Sequence, residues 1–368
     1  MSHRAAKEII SKLDSKMGDR PLGNPSFKDP DVKAYTFDKG SFHAVKPIES
    51  NRQLAFIDGG NLELLGAPNF SIQLNRIYAC IWKNNKRQNI LKVPQIEFFS
   101  AIYSTIKDGE IVFETIIVPS DPDYSYLLPD ASDIVMRYSE RTIENGNQRY
   151  SASRVASIAR NFSEWKFAEN VAQSLNSDDV IVLDGSLQTQ FQNEGKIKYF
   201  RKLEETSLKN GVILTSLSKT STLFTDTGLS LLGAISQFAK NEKVEGEWIH
   251  PIFESPKHHI FGSVVKLKSL SDWVFRLDFL LDQFKGLSED KRDEVLNLFC
   301  SNSSDPTFPG YPYGSIDADL FSRVSENEID YYRALVSSQI SDLNRQGRFI
   351  PHIRAGDAHD VLNTIAGF

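Results

Sequence analysis

Cysteine is scarce in this chain, and histidine is scattered. The 368 residues include two cysteines, Cys80 and Cys300, each alone among apolar neighbours. This excludes a disulfide framework and a cysteine zinc site, so buried thiols are the expected state. Among the seven histidines, the adjacent pair at 258–259 has no partner pair at ligand spacing, so a zinc site is not expected. We therefore expect any metal to be a hard ion on oxygen ligands.

Long apolar runs and an excess of positive charge are also missing. No run approaches the roughly 18 consecutive apolar residues that a membrane span needs, and the polar start is no signal sequence, so we expect a cytoplasmic protein without membrane contact. The 42 basic and 48 acidic residues give a net charge of -6, which argues against coating nucleic acid by bulk charge. Phosphate contacts need only local basic patches. Candidate patches are Lys83 to Arg87, Lys196 to Lys202, and Arg345, Arg348, His352 and Arg354.

Hydrophobic periodicity predicts an order of elements. A helix and an irregular arm precede a strand that ends at Asp58 and is stopped by Gly59-Gly60. A second strand, a hairpin around Asp108-Gly109, a long helix, a buried strand ending at Asp184, a helix and another buried strand follow. The predicted ranges are 4–18, 53–58, 71–83, 98–106, 111–118, 151–175, 179–184, 196–209 and 211–217.

Two of these strands end in nearly the same way. Phe-Ile-Asp58-Gly-Gly and Val-Leu-Asp184-Gly-Ser each place an acid before glycine at a strand end. In α/β sheets the functional crevice lies beyond the carboxyl ends of strands, and glycine lets a ligand approach the backbone. A single Asp-Gly would indicate only a turn, whereas two such ends favour a site.

The element order is that of the ribonuclease H-like fold. We predict an α/β protein with a ribonuclease H-like mixed sheet flanked by helices, a large α+β insertion and an N-terminal helical arm. The predicted divisions are 1–50 for the arm, 51–325 for the nuclease domain with its insertion at 228–300, and 326–368 for C-terminal helices and a basic tail.

That fold places one acid on each of four elements. Here the positions fall on Asp58, on Glu164 or Glu169, on Asp184, and on Asp319 or Asp317, with Glu114 as a strand-borne rival. Converging carboxylates repel one another, so such a site needs cations or protonation. Two divalent ions are the usual remedy, and they also serve phosphodiester hydrolysis.

At these residues the chain resembles the NurA family of DNA repair nucleases. The motifs are Phe-Ile-Asp58-Gly-Gly, Val-Leu-Asp184-Gly-Ser-Leu, Leu-Ser-Lys219-Thr-Ser, and Pro309-Gly-Tyr-Pro-Tyr313 followed by Ile316-Asp-Ala-Asp319. The resemblance implies a Mn²⁺- or Mg²⁺-dependent nuclease with two ions, a 5′–3′ exonuclease and single-strand endonuclease. It also implies a homodimer that processes DNA ends with a hexameric HerA-type ATPase translocase, in repair or in defence.

The resemblance also implies roles for individual residues. Asp58, Glu164 and Asp184 would bind metal, and Asp319 would take a fourth place where many relatives carry histidine. His359 is a further candidate imidazole. Lys219 would contact the scissile phosphate, and Tyr199 would stack on or orient it.

Two other functions fit parts of the pattern. An actin or sugar-kinase type ATPase also places Asp-Gly loops after strands, but it needs a late glycine-rich loop, and Pro309-Gly-Tyr-Pro is too rigid for one. A non-catalytic DNA-binding subunit with the same fold is the second alternative, against which the intact acids argue.

Overall fold

The protein is described by a computed structural model that covers residues 2–18, 20–139, 151–188 and 194–365. Its strands are β1 (Pro25–Ser26), β2 (Lys33–Ala34), β3 (His43–Ala44), β4 (Leu54–Ala67), β5 (Phe70–Lys83), β6 (Lys86–Gln88), β7 (Gln95–Lys107), β8 (Glu110–Pro119), β9 (Met136–Arg137), β10 (Val180–Asp184), β11 (Ile213–Ser218), β12 (Phe224–Thr225), β13 (Trp248–Ser255), β14 (Ile260–Lys266) and β15 (Phe275–Leu280). Its helices are α1 (Ser2–Met17), α2 (Ala152–Ala172), α3 (Glu194–Asn210), α4 (Leu231–Asn241), α5 (Leu281–Gly286), α6 (Glu289–Asn302), α7 (Tyr313–Ser322), α8 (Glu326–Asp342) and α9 (Gln346–Ile365).

The described chain divides into two compact units. One comprises residues 49–216 and 311–368, and the other residues 1–48 and 217–310. Below they are called the sheet unit and the insertion unit.

In the sheet unit the strands lie in the order β11-β10-β4-β5-β7-β8-β9, with β6 beside β5. β4, β5, β7 and β8 pair antiparallel in succession, whereas β10 runs parallel to β4. The first long strand, β4, is therefore central, with the antiparallel strands β5, β7 and β8 on one side and β10 and β11, which follow α2, on the other. This is the ribonuclease H-like order, and the predicted fold class, an α/β mixed sheet flanked by helices, is confirmed.

Helices α2 and α7 both pack on β4 and β5, but from opposite faces of the sheet. A Cβ on Gly314 of α7 would lie 2.0 Å from the ring of Phe56, whereas a Cβ on Gly59 would lie 2.3 Å from Oε1 of Glu164 on α2. Side chains three residues apart on a strand point to opposite faces, so Phe56 faces α7 and position 59 faces α2.

The strand prediction at Asp58 was wrong in one respect. β4 does not stop at Gly59-Gly60 but continues to Ala67, and both glycines pair with β5, opposite Ile77 and Arg76. These glycines keep extended backbone and give up side-chain volume, so they mark close approaches by neighbouring helices rather than a turn.

The strands of the insertion unit lie in the order β2-β13-β14-β15, with β3 also paired to β13. β1 pairs with β12 in a separate two-stranded ribbon. The chain before residue 49 thus contributes strands to the same unit as the long insertion. The division differs from the predicted 1–50, 51–325 and 326–368 because backbone pairing joins residues 33–34 and 43–44 to β13.

Within the described residues, no helix combines the length and apolar character needed to cross a membrane.

Candidate active site

Asp58 and Asp184 lie side by side on the two central parallel strands. Leu183 of β10 pairs with Ile57 of β4, so the next step along both strands sets Asp184 beside Asp58. Neighbouring strands are separated by about 4.8 Å, and laterally paired residues face the same side of a sheet. Asp58 is buried, at 8% exposed, whereas Asp184 is exposed. Gly185, with φ +92°, turns the chain away directly after the second acid.

The face that carries Asp58 is the face covered by α7. Phe56 and Asp58 are two residues apart on β4 and so point the same way, toward the helix. A Cβ on Gly60 would meet the backbone oxygen of Ser322 at 2.4 Å, so the end of α7 lies directly on the strand. Asp319 lies one turn before that contact, where it forms an ion pair with Arg323.

Glu164 reaches the same stretch of β4 from α2. Its carboxylate occupies the space that a side chain at position 59 would fill. Arg160, one turn earlier on α2, forms an ion pair with Glu164 and donates from Nη1 to the Gly59 carbonyl at 2.6 Å. One guanidinium therefore ties the acid to the backbone next to Asp58.

The electrostatics link Glu164 to Asp184. Burial raises the pKa of the Glu164 carboxyl to about 7; Arg160 opposes that rise and the negative charge of Asp184 adds to it. The negative charge of Asp184 therefore disfavours ionisation of Glu164, as expected where carboxylates lie close together.

Tyr311, just before α7, reports the remaining acids. This tyrosine is 2% exposed, and its pKa is raised chiefly by burial. The negative charges of Asp184, Asp58 and Asp319 each add to the rise. The charges of three of the four predicted acids therefore act on the Tyr311 phenol. The fourth acid, Glu164, is linked to this group because the charge of Asp184 also raises its pKa.

The rival acids are engaged elsewhere. Glu169 accepts from Thr206 of α3 at 3.2 Å, and Asp317 lies 3.8 Å from Arg87 of β6. Glu114 pairs with Lys107 on the β7–β8 hairpin, whose strand β8 is three strands away from β4.

The remaining candidate residues, Tyr199, Lys219 and His359, differ in their structural settings. The Tyr199 hydroxyl donates to Asp133 at 2.6 Å and accepts from the Asp130 backbone at 2.8 Å, so the structure ties it to that loop rather than to the acids. Lys219 directly follows β11. His359 lies in α9, but its side chain is outside the part of the chain that the structure describes.

A different set of metal-binding side chains occurs in the insertion unit. Among described residues, His43, Glu289 and Asp293 form the set whose ligand atoms all lie within 4.8 Å of one another. The four predicted acids do not meet that spacing. Their association rests on the adjacent strand positions of Asp58 and Asp184, on helix contacts and on mutual electrostatic influence.

No family model matches the sequence. Among solved structures, the chain is similar to endonuclease V from Ciona intestinalis in complex with a 24mer DNA, at 12% identity and a TM-score of 0.35, over 88% of this chain and 97% of that one. It is also similar to Argonaute from A. aeolicus, at 10% identity and a TM-score of 0.30, over 77% of this chain and 30% of that one. Similarities at 12% identity or less and TM-scores of 0.35 or less assign neither a family nor an activity.

Sequence reasoning missed two residues that shape this site. The pairing of Arg160 with Glu164 could have been predicted, because residues four apart lie next to each other on the same face of a helix. Tyr311 lies in the Pro309-Gly-Tyr-Pro motif, but only the folded placement of that segment near Asp58 and Asp184 reveals its acidic surroundings.

Proposed function

We propose that the sheet unit is a divalent-metal-dependent DNA nuclease of the NurA type, acting in the cytoplasm. The support for it is that Asp58 and Asp184 occupy adjacent positions on β4 and β10, with α7, which carries Asp319, on one face of that stretch and Glu164 of α2 on the other. Phosphodiester hydrolysis needs such carboxylates to hold cations.

The donor set fits hard divalent ions. All four candidate ligands are carboxylates, the type that Mg²⁺ and Mn²⁺ prefer. Burial, and then the charge of Asp184, raise the pKa of Glu164, and a bound cation would favour its ionised form. Asp58, Glu164, Asp184 and Asp319 would hold two ions. When bound, such ions activate water and stabilise the leaving oxygen of an in-line displacement.

The protein's own residues prepare this arrangement. Arg160 fixes Glu164 against the Gly59 carbonyl. The Asp58 carboxylate accepts from the Gly59 amide at 2.7 Å, which restricts its orientation. The proposed phosphate contact by Lys219 would add positive charge beyond the end of β11.

The finer parts of the proposal follow from the family resemblance. They are 5′–3′ exonuclease and single-strand endonuclease activity, a homodimer, and work with a HerA-type hexameric translocase. The exposed apolar residues Ile116 and Val118 on β8, at 49% and 52% exposed, are compatible with a partner surface. Light scattering after gel filtration tests the dimer, and end-labelled substrates with and without a co-encoded translocating ATPase test the rest.

The central experiment compares acids on the same elements. Asp58→Asn and Asp184→Asn should abolish Mn²⁺-dependent cleavage of labelled single-stranded and duplex DNA. Glu164→Gln and Asp319→Asn should lower it by at least about tenfold, as expected for ligands of a catalytic ion. Their controls, Glu169→Gln on α2 and Asp317→Asn on α7, should stay within about threefold of the parent chain.

Circular dichroism and DNA affinity separate loss of chemistry from loss of fold. Full activity in Asp58→Asn would refute the nuclease proposal, and equal loss in each acid and its control would refute the assignment of sites. Isothermal titration with ATP checks the nucleotide-binding alternative.

A further inference from the structure

The His43–Asp293 contact joins residues 250 positions apart in the insertion unit. Nε2 of His43, on β3, lies 2.6 Å from Oδ1 of Asp293, on α6. Glu289 lies one helical turn before Asp293, so both acids face the same strand. None of the four acids proposed for the nuclease belongs to this group.

Asp293 is the unusual member. Its side chain is 0% exposed, and no described residue donates a well-aligned hydrogen bond to its Oδ2. Burying a carboxylate is costly unless charge and hydrogen bonds compensate it. The nearest cation to Oδ2 is Lys46 Nζ, at 3.3 Å, and that ammonium lies closer to Glu289, at 2.7 Å from Oε1. Asp293, the more buried of the two acids, therefore has the longer contact with the Lys46 ammonium.

The group borders open space. A cavity of about 360 Å³ in the insertion unit is lined in part by His43 and Glu289. A cation held between the three side chains would have room for water or a ligand on its cavity side.

We propose that His43, Glu289 and Asp293 form a binding site for a divalent transition-metal ion, with Zn²⁺ as the expected occupant, and that Lys46 competes for it. One imidazole nitrogen and two carboxylates are a donor set that Zn²⁺ accepts, and a fourth position open to a cavity is common where three protein ligands bind it. Two carboxylates balance a 2+ ion, so the Lys46 ammonium is displaced on binding. The inference does not depend on the nuclease proposal.

Lys46 makes the proposal testable against a simple ion-pair network. If the network only anchors β3 to α6, replacing Lys46 by Met removes a stabilising charge and gains nothing. If the group is a metal site, the same change removes the competitor, so Zn²⁺ affinity rises.

The test uses the full chain carrying Asp58→Asn, so that the proposed nuclease ligands contribute less to metal uptake. Zn²⁺ affinity is measured by competition with a chromophoric chelator, and bound zinc by elemental analysis after desalting. We expect His43→Gln and Asp293→Asn to weaken the tightest Zn²⁺ site by at least about tenfold, and Lys46→Met to tighten it severalfold. The control is His352→Gln, an exposed histidine on α9, which should leave the Zn²⁺ affinity unchanged.

Thermal unfolding with and without Zn²⁺ gives a second readout. Zinc should raise the melting temperature of the parent and of Lys46→Met, but not of His43→Gln. His43 and Lys46 are 37% and 54% exposed, so their variants remain informative if Asp293→Asn fails to fold. The proposal is overturned if His43→Gln binds Zn²⁺ like His352→Gln, or if Lys46→Met loses stability without gaining Zn²⁺ affinity.

Discussion

At the residue scale, the adjacent glycines Gly59 and Gly60 of β4 make room for different neighbours. Gly59 leaves room for a side chain, because the atoms that a Cβ would meet first are Oε1 of Glu164 and Cδ1 of Ile77. Gly60 leaves room for backbone, namely the carbonyl oxygen of Ser322 at the end of α7. The missing side chain of Gly59 therefore leaves the space that the Glu164 carboxylate occupies, and that of Gly60 lets α7 approach β4 closely.

This difference predicts opposite effects of two alanine substitutions. Gly59→Ala should displace the flexible Glu164 carboxylate and lower metal-dependent cleavage by about tenfold or more, with a small loss of stability. Gly60→Ala forces α7 away from β4, and overpacking of this kind costs about 1–3 kcal/mol. Urea unfolding and the cleavage assay, run on both variants, check the prediction.

Gly347→Ala is the matched control, since a Cβ there meets nothing within 4 Å. It should preserve activity and cause no loss of stability, because alanine favours the helix more than glycine does. If Gly59→Ala keeps full activity, then Glu164 is not held in the site by the space at position 59.

At the element scale, a buried cation holds the start of α8 to β5 and β7. Arg76 of β5 donates to Glu328 of α8 at 2.7 Å, to Glu97 of β7 and to the Arg323 carbonyl. Glu328 also completes a capping box with Ser325 at the start of α8. These partners lower the pKa of Glu328 to about 2, first through the Arg76 hydrogen bond and then through Ser325.

The lowered pKa fixes the pH range of this contribution. Because the pKa of Glu328 in the folded chain lies below its ordinary 4.5, its stabilisation is complete above pH 4.5 and is lost as the pH falls toward about 2. Glu328→Gln should lower the melting temperature at pH 7, and the gap to the parent should shrink at pH 3. The effect is about 1 kcal/mol or less, since Glu328 is 40% exposed. A gap that is equal at both pH values would mean that the Glu328 charge is not its source.

The same scale shows how far sequence patterns reach. The long strands, the hairpin and α2 were predictable because hydrophobic periodicity is local, and the helix and strand acids followed from their order. The continuation of β4 past Asp58 was not, because two adjacent glycines predict a stop, whereas here they pair with β5 and leave space for Glu164 and Ser322. Nor was the group around His43, since no local spacing connects it to Asp293.

At the scale of the whole molecule, net charge and the proposed substrate are in tension. A chain of net charge -6 is repelled by DNA, so binding must come from a few local cations. The turn between β5 and β6 is one candidate: Asn84 and Asn85 adopt positive φ there, and the exposed Lys86 follows. In the same unit, β5 lies directly against β4, the strand of Asp58.

Position, rather than total charge, should therefore decide DNA affinity. Lys86→Glu and Lys209→Glu each move the formal net charge from -6 to -8, but Lys209 lies at the far end of α3, outside the predicted patches. If the β5–β6 turn contacts phosphate, Lys86→Glu should weaken binding of a metal-free Asp58→Asn chain to single-stranded DNA. Affinity falls with salt concentration, and the variant should make this dependence less steep. The magnitude of the slope of log affinity against log salt should decrease by about 0.7 to 0.9, the value for one lost phosphate contact. Lys209→Glu should leave that slope unchanged, because long-range repulsion is screened within about 10 Å at 0.1 M salt. Equal slopes in the two variants would remove this turn from the DNA-binding surface and leave the patches on α3 and near the C-terminus to supply the contacts.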